Sequence, residues 1–181
     1  MDRGENNELI DLASSLVDRS VRGGARVAEA TAHTGWELTA RVRLGQVELL
    51  EEAGHRSVAL RVMRDDRVAM VVTSDLTPEG LNRCVGDALD LVQLTEPDPD
   101  ARPADPSLLA REPVDALDLF DPSVTGIEAD NALGLAQRAE AAALASNPRL
   151  TLSEGASVSR SWGESVLVLS SGFAGKKRGT Q

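Results

Sequence analysis

From Trp36 to Ser74 apolar and polar residues alternate, and this periodicity limits the possible folds more than any other feature of the chain. Trp36, Leu38, Ala40, Val42 and Leu44 alternate with Glu37, Thr39, Arg41 and Arg43, the period of two of a half-buried strand. Gly45-Gln46 interrupts the pattern, Val47 and Leu49 resume it against Glu48, and Glu51-Glu52 closes it. Beyond Gly54, Val58, Leu60 and Val62 share one face while Ala59, Arg61 and Met63 share the other. Asp65-Asp66 reads as another tight reversal before a strand from Val68 to Thr73. Arg26–Thr34 reads as one more strand of small residues, joined to Trp36 through Gly35. The expectation is an antiparallel meander of four or five short strands, with one wet face and one face needing helices.

Two helices flank that run. Leu9, Leu12, Leu16 and Val17 recur at helical spacing between Glu5 and Arg22, and Gly23-Gly24 supplies the stop. Glu5 and Glu8 near its start and Arg19 and Arg22 near its end suit the helix dipole. Thr77-Pro78-Glu79 is a capped helix start, followed by Leu81, Val85, Ala88, Leu89 and Val92 on one face up to Leu94. Gly80 and Gly86 each weaken this helix by about 1 kcal/mol relative to Ala, so packing must hold it.

Six of the eight prolines fall between Glu96 and Pro122, among acidic residues, which predicts an extended surface connector. Leu117, Leu119 and Phe120 are its apolar residues and are expected to pin it to the body. A third helix is predicted from Ile127 to Ala145, ended by Asn147-Pro148. Leu150–Arg160 and Glu164–Ser170 read as a hairpin turning near Trp162-Gly163. The fold class is therefore α+β: an antiparallel meander sheet covered by helices, a connector, a third helix and the start of a second antiparallel sheet. The domain division expected is 1–95, 96–122 and 123–181.

Composition narrows the function classes. Net charge is −10, which opposes nucleic-acid and anionic-membrane binding, since both need positive potential. Lys176-Lys177-Arg178 is the basic exception and reads as a solvated tail. The lone Cys84 excludes an internal disulfide and suits a reducing compartment. Asp2, Glu5 and Glu8 occupy the N-terminal stretch without the apolar core of a secretory signal. No apolar run approaches the ~18 residues that span a bilayer. A cytoplasmic protein is expected.

Candidate chemistry is sparse. His33 and His55 fall on different strands or strand ends, neither within a metal-binding helix motif, and Glu51 and His55 do not share a face at strand spacing. Cys84 lies on the apolar side of a helix and reads as core. Glu48, Glu51, Glu52, Asp65, Asp66, Asp118 and Asp121 read as solvated carboxylates rather than an acid/base pair. Ser170-Ser171-Gly172 lacks the nucleophile elbow, and Gly172 reads as a turn. No catalytic, cofactor-binding or metal-ligating residue is assigned.

Several motifs in order carry a family resemblance. Arg43-Leu44-Gly45-Gln46-Val47-Glu48-Leu49-Leu50-Glu51, then Arg61-Val62, then Thr73-Ser74-Asp75-Leu76 with Leu81 on a helix, resembles the N-terminal half of the TldD/PmbA family. Leu117-Asp118-Leu119-Phe120-Asp121-Pro122 is similar to its connector motif. Ser153-Glu154-Gly155-Ala156, Ser171-Gly172-Phe173 and Arg178-Gly179-Thr180 are similar to its second-sheet motifs. The details lean toward the PmbA (TldE) side. Asp66 and Ala69 stand where the family usually has glycines, and Ser170 where Asn is common. Asp65-Asp66 must then tolerate a left-handed backbone without Gly.

The family is known as modulators of DNA gyrase, viewed as peptidases, and its members are more than twice this length. The resemblance implies an α+β fold and a cytoplasmic protein working with peptides or unfolded polypeptides. It implies a dimer with a TldD-like subunit or with itself. The zinc-binding H-E-x-x-x-H helix belongs to the TldD-type subunit, in the half absent here, so zinc is expected only in such a partner. The alternative is a stand-alone binding or scaffold module without peptidase activity. A hydrolase using its own carboxylates is a third, weaker reading.

Overall fold

The computed structural model describes residues 5–109 and 117–181, with side chains from Glu8 onward. Pro113 of the connector and the Glu5 side chain lie outside the described residues. Helix α1 (Glu5–Arg22) precedes strands β1 (Val27–Arg43), β2 (Gln46–Arg64) and β3 (Arg67–Thr73). Then come α2 (Pro78–Leu94), a 3-10 turn at Pro106–Leu108, the short helix α3 (Pro122–Thr125), and α4 (Ala129–Ala145). Strands β4 (Ala156–Leu169) and β5 (Ala174–Thr180) complete the order. The five strands form one antiparallel sheet in the order β3-β2-β1-β4-β5. The α+β class read from the sequence agrees with this architecture.

The number of strands does not agree. Gly35 lies inside β1 and Gly54 inside β2, so the first four short strands expected are two long ones, while β3 matches the strand expected from Val68 to Thr73. Glycine lacks a side chain but not backbone hydrogen-bonding groups, so ladder pairing carries a strand through it. Trp162-Gly163 likewise lies inside β4, not at a turn; the reversal is at Ser170–Phe173, with Gly172 at φ 94°. Nor do these strands begin a second sheet, because β4 joins the first one beside β1.

The tight turns follow from backbone chemistry. Asp65 and Asp66 have φ of 51° and 59°, the left-handed pair of a type I′ hairpin turn, made here without glycine. From there β3 pairs back along β2, with Val62 opposite Ala69 and Leu60 opposite Val71. The β1–β2 reversal is centred on Leu44 (φ 50°) and Gly45 (φ 73°), one residue earlier than the sequence pattern suggests. At the start of α2 the Thr77 hydroxyl accepts from the Gly80 amide at 3.1 Å. Gly80 is needed there, since a Cβ would collide with Asp75.

The chain divides into two compact units. The first comprises Met1–Thr34, His55–Leu117 and Glu164–Lys177; the second comprises Gly35–Gly54, Asp118–Gly163 and Arg178–Gln181. In the first, Leu9, Leu16 and Val17 of α1 and Leu81, Val85, Ala88 and Val92 of α2 share a core with β1, β2 and β4. Those strands contribute Ala28, Ala30 and Ala32, then Val58, Leu60 and Val62, then Val166 and Val168. The β1 alanines leave room for the helices, and each buried Leu or Val contributes roughly 1.5–3 kcal/mol. The second unit has a smaller core of Leu38, Ala40 and Ala132, with Ile127, Leu133 and Val158 packed around it.

The connector is anchored through one aromatic ring rather than three apolar side chains. Phe120 lies under the Arg178 guanidinium, 3.6 Å from the ring centroid, while Leu117 and Leu119 are exposed. The Leu119 carbonyl accepts from the Thr180 amide at 3.0 Å. A cation over an aromatic face explains why this ring, and not the leucines, is covered.

Candidate functional site

In the first unit three strands bring together residues that are far apart in sequence. His33 on β1 has its Nδ1 2.7 Å from the Ser165 hydroxyl on β4. The His55 ring on β2 lies 4.8 Å from the His33 ring, tilted by 30°. Burial pushes the His33 pKa down, and His55 and Lys177 push the same way, against a hydrogen bond with the Glu164 backbone. A neutral His33 can therefore hold or take up a proton beside a second imidazole. Ser165 is within nucleophile–base reach of it. The sequence reading kept the two histidines apart because pairing between β1 and β2 is not a local property.

Zinc does not fit this pair. Structural and catalytic zinc sites use three or four protein ligands. Among the described residues no three His, Cys, Asp or Glu side chains gather as a potential metal site. A cavity of about 330 Å³ lined by Val17, Asp18, Val21, Arg22 and Ser170 contains neither histidine.

The second unit holds the two tryptophans of the chain. Trp36 on β1 and Trp162 on β4 stack at 4.4 Å with an 11° interplanar angle, and Trp36 stays 39% exposed. Arg160 on β4 is buried; its Nε donates to the Ile127 carbonyl at 3.0 Å and its Nη2 to Glu52 at 2.6 Å. Glu140 on α4 is also buried, and its carboxylate accepts from the amides of Leu44 and Gly45, each at 2.8 Å. Hydrogen bonds from Ser153 and from those two amides hold its pKa below the usual carboxylate value. Of these residues the sequence reading weighed Glu52, as a solvated carboxylate, whereas it pairs with the buried Arg160; an unmatched Glu on a helix of alanines is the local hint at Glu140.

The remaining candidates separate. Cys84 is buried in α2, and burial raises its thiol pKa, which makes it a core residue and not a nucleophile. Glu48 pairs with Arg41 at 2.8 Å, Asp121 caps α3 through the Ser123 amide, and Asp65 and Asp66 form a turn. The Ser170 hydroxyl accepts from the Ala28 amide at 3.1 Å. Lys176, Lys177 and Arg178 are not a solvated tail: they lie in β5, Lys176 2.9 Å from Glu164 and Arg178 over Phe120. The tripeptide looked like a tail because its partners lie on other segments.

The sequence profile of PmbA/TldA metallopeptidase domain 1 matches residues 28–92. Metalloprotease PmbA of Escherichia coli O157:H7 is 37% identical over 164 residues, covering 91% of this chain and 34% of that protein. This chain belongs to the PmbA/TldD family. It spans about a third of the length of the curated relatives it matches. Two solved structures share the fold of this PmbA/TldD chain. One is a modulator of DNA gyrase from Bacteroides thetaiotaomicron, with TM-score 0.76 and 21% identity, covering 94% of this chain and 38% of that one. The other is TldE from Thermococcus kodakarensis, with TM-score 0.65 and 16% identity, covering 93% and 37%. Among the described residues no helix is long and apolar enough to cross a membrane.

Proposed function

We propose that this chain is a non-catalytic part of a PmbA/TldD-type protein, supporting a zinc-dependent peptidase that acts on peptides or unfolded polypeptides. Its contribution is dimer contacts or substrate enclosure, with a TldD-like subunit or a second copy as partner. The metal and the reacting groups belong to a TldD-like subunit, and the setting is the cytoplasm. The observation that carries this reading is the 37% identity to Metalloprotease PmbA along 91% of the chain.

The test is to purify the chain alone and together with a TldD-type subunit, then measure complex formation and zinc-dependent cleavage of an unfolded polypeptide. A stable complex with altered cleavage is the expected result. No complex and unchanged cleavage overturns the proposal in favour of a stand-alone scaffold module.

A further inference from the structure

Four strands of the first unit carry a basic cluster on the sheet face opposite the helical core. Ala32, Val58 and Val166 point into that core, so by strand alternation His33, His55 and Ser165 point the other way. Lys177 joins them from β5. The reciprocal Ser161–Gln181 bonds and the Leu169–Phe173 bond set the β4–β5 register, which puts Lys177 opposite Ser165. The row across β2, β1, β4 and β5 is therefore His55, His33, Ser165 and Lys177.

Pairing separates this lysine from its neighbour. Lys176 faces the core side and lies 2.9 Å from Glu164. Lys177 is exposed and makes no ion pair among the described residues; the group across from it is a hydroxyl. Glu29, on the same face of β1 as His33, is held by Arg61 at 2.7 Å. The groups acting on the His33 ring are His55, the Glu164 backbone and Lys177, with no carboxylate side chain among them.

Three basic side chains without an acid between them repel one another when protonated, and an incoming anion relieves that repulsion. Once protonated, His33 donates its Nδ1–H to the Ser165 oxygen, 2.7 Å away. That leaves the Ser165 hydroxyl proton and the His33 Nε2–H for a ligand, beside the His55 ring and the Lys177 ammonium. A tetrahedral dianion suits this set better than a planar monoanion, because it offers more acceptors and more charge above a flat face.

We infer that the His55–His33–Ser165–Lys177 row binds a tetrahedral oxyanion, phosphate or a phosphate monoester, with uptake of a proton by His33. Affinity then rises as pH falls through the range in which imidazole titrates.

The first probe is sulfate, whose own charge is constant over that range, titrated into the 181-residue chain while NMR follows the histidine rings. Saturable shifts of the His33 and His55 signals are expected, with binding about tenfold tighter near pH 5.5 than near pH 7.5. Lys177→Gln and His55→Gln each weaken it about fivefold. Lys176→Gln removes the same charge from the opposite face and leaves affinity unchanged. Circular dichroism checks that the variants fold, and sodium chloride at matched ionic strength controls for screening. Inorganic phosphate and glycerol phosphate then separate the two sources: equal or tighter binding of the ester supports a monoester, and weaker binding supports the free anion. Absence of saturation, the same shifts with chloride, pH-independent affinity, or equal losses in Lys176→Gln and Lys177→Gln overturns the inference. Neither a partner subunit nor cleavage enters this test, so its failure leaves the proposed function standing.

Discussion

The buried carboxylate of Glu140 accepts a hydrogen bond from the amide of Leu44, a residue held in the left-handed region at φ 50°. Leucine resists that conformation by about 1–2 kcal/mol, so the turn needs an external hold. Helix α4 supplies it through both Glu140 oxygens, one to Leu44 and one to Gly45. Glu140→Gln leaves one acceptor where two are needed and lowers the melting temperature; Glu140→Ala lowers it further. Since the folded pKa of Glu140 lies below its ordinary 4.5, its contribution is present above that value. It is lost as pH falls through the lowered folded value. Thermal melts of both variants between pH 3 and 7 check the size and the direction; an unchanged melting temperature in Glu140→Ala contradicts this account.

At the other β2 turn, Asp66 occupies a left-handed position at φ 59° where glycine carries no steric cost. Asp66→Gly creates the favoured Asp-Gly pair of a type I′ turn and is expected to stabilise the protein by about 0.5–1 kcal/mol. The Asp66 carbonyl keeps its bond from the Asp98 amide, since only the side chain changes. Urea denaturation reads the midpoint; a drop means that the Asp side chain has a role beyond the turn.

His33 predicts a second pH dependence. Its folded pKa is below the ordinary 6.5, so between those values the unfolded chain binds more protons than the folded one. Stability therefore falls as pH drops from about 6.5 through the lowered value and levels off below it. The groups around the ring are His55, Ser165, the Glu164 backbone and Lys177. His33→Asn is expected to flatten the slope of stability against pH in that window. Equal slopes for both proteins would mean that other groups control it.

Stacked indoles couple electronically, and Trp36 and Trp162 are 4.4 Å apart and nearly parallel. Trp162→Leu should abolish the resulting near-ultraviolet dichroism and cost about 0.5–1.5 kcal/mol beyond lost burial. Gly54→Ala tests the same pair, because a Cβ there stands 3.0 Å from Trp36 Nε1 and must displace the ring. Retention of the full dichroic signal in Trp162→Leu would rule out the stack as its source.

Element type was legible along the chain wherever a local repeat carried it. Facing was legible only in part: Val47 and Leu49, on the apolar side of the pattern, are exposed, and Met63, on the other side, is buried. The period of two from Trp36 to Thr73 identified strand residues and the buried set Leu38, Ala40, Val42, Val58, Leu60 and Val62. The 3.6-residue period and Thr77-Pro78 placed α1 and α2 to within a residue, with the cap as the reason. The Asp65-Asp66 reversal was legible for the same cause, since turn chemistry is settled by neighbours. Strand continuity was not, because Gly35, Gly54 and Gly163 read as breaks until a ladder partner holds them extended.

Taken alone, the sequence determined an α+β chain resembling the PmbA/TldD family, and it located the strand residues and main helices because those follow from contacts a few residues apart. Only the tertiary structure decided that β4 lies beside β1, that His33 meets His55 and Ser165, and that Glu140 holds Leu44. Those relationships join segments as distant as 132 positions. Backbone pairing and burial select them over the whole chain, and no local periodicity encodes which distant segment will supply the partner.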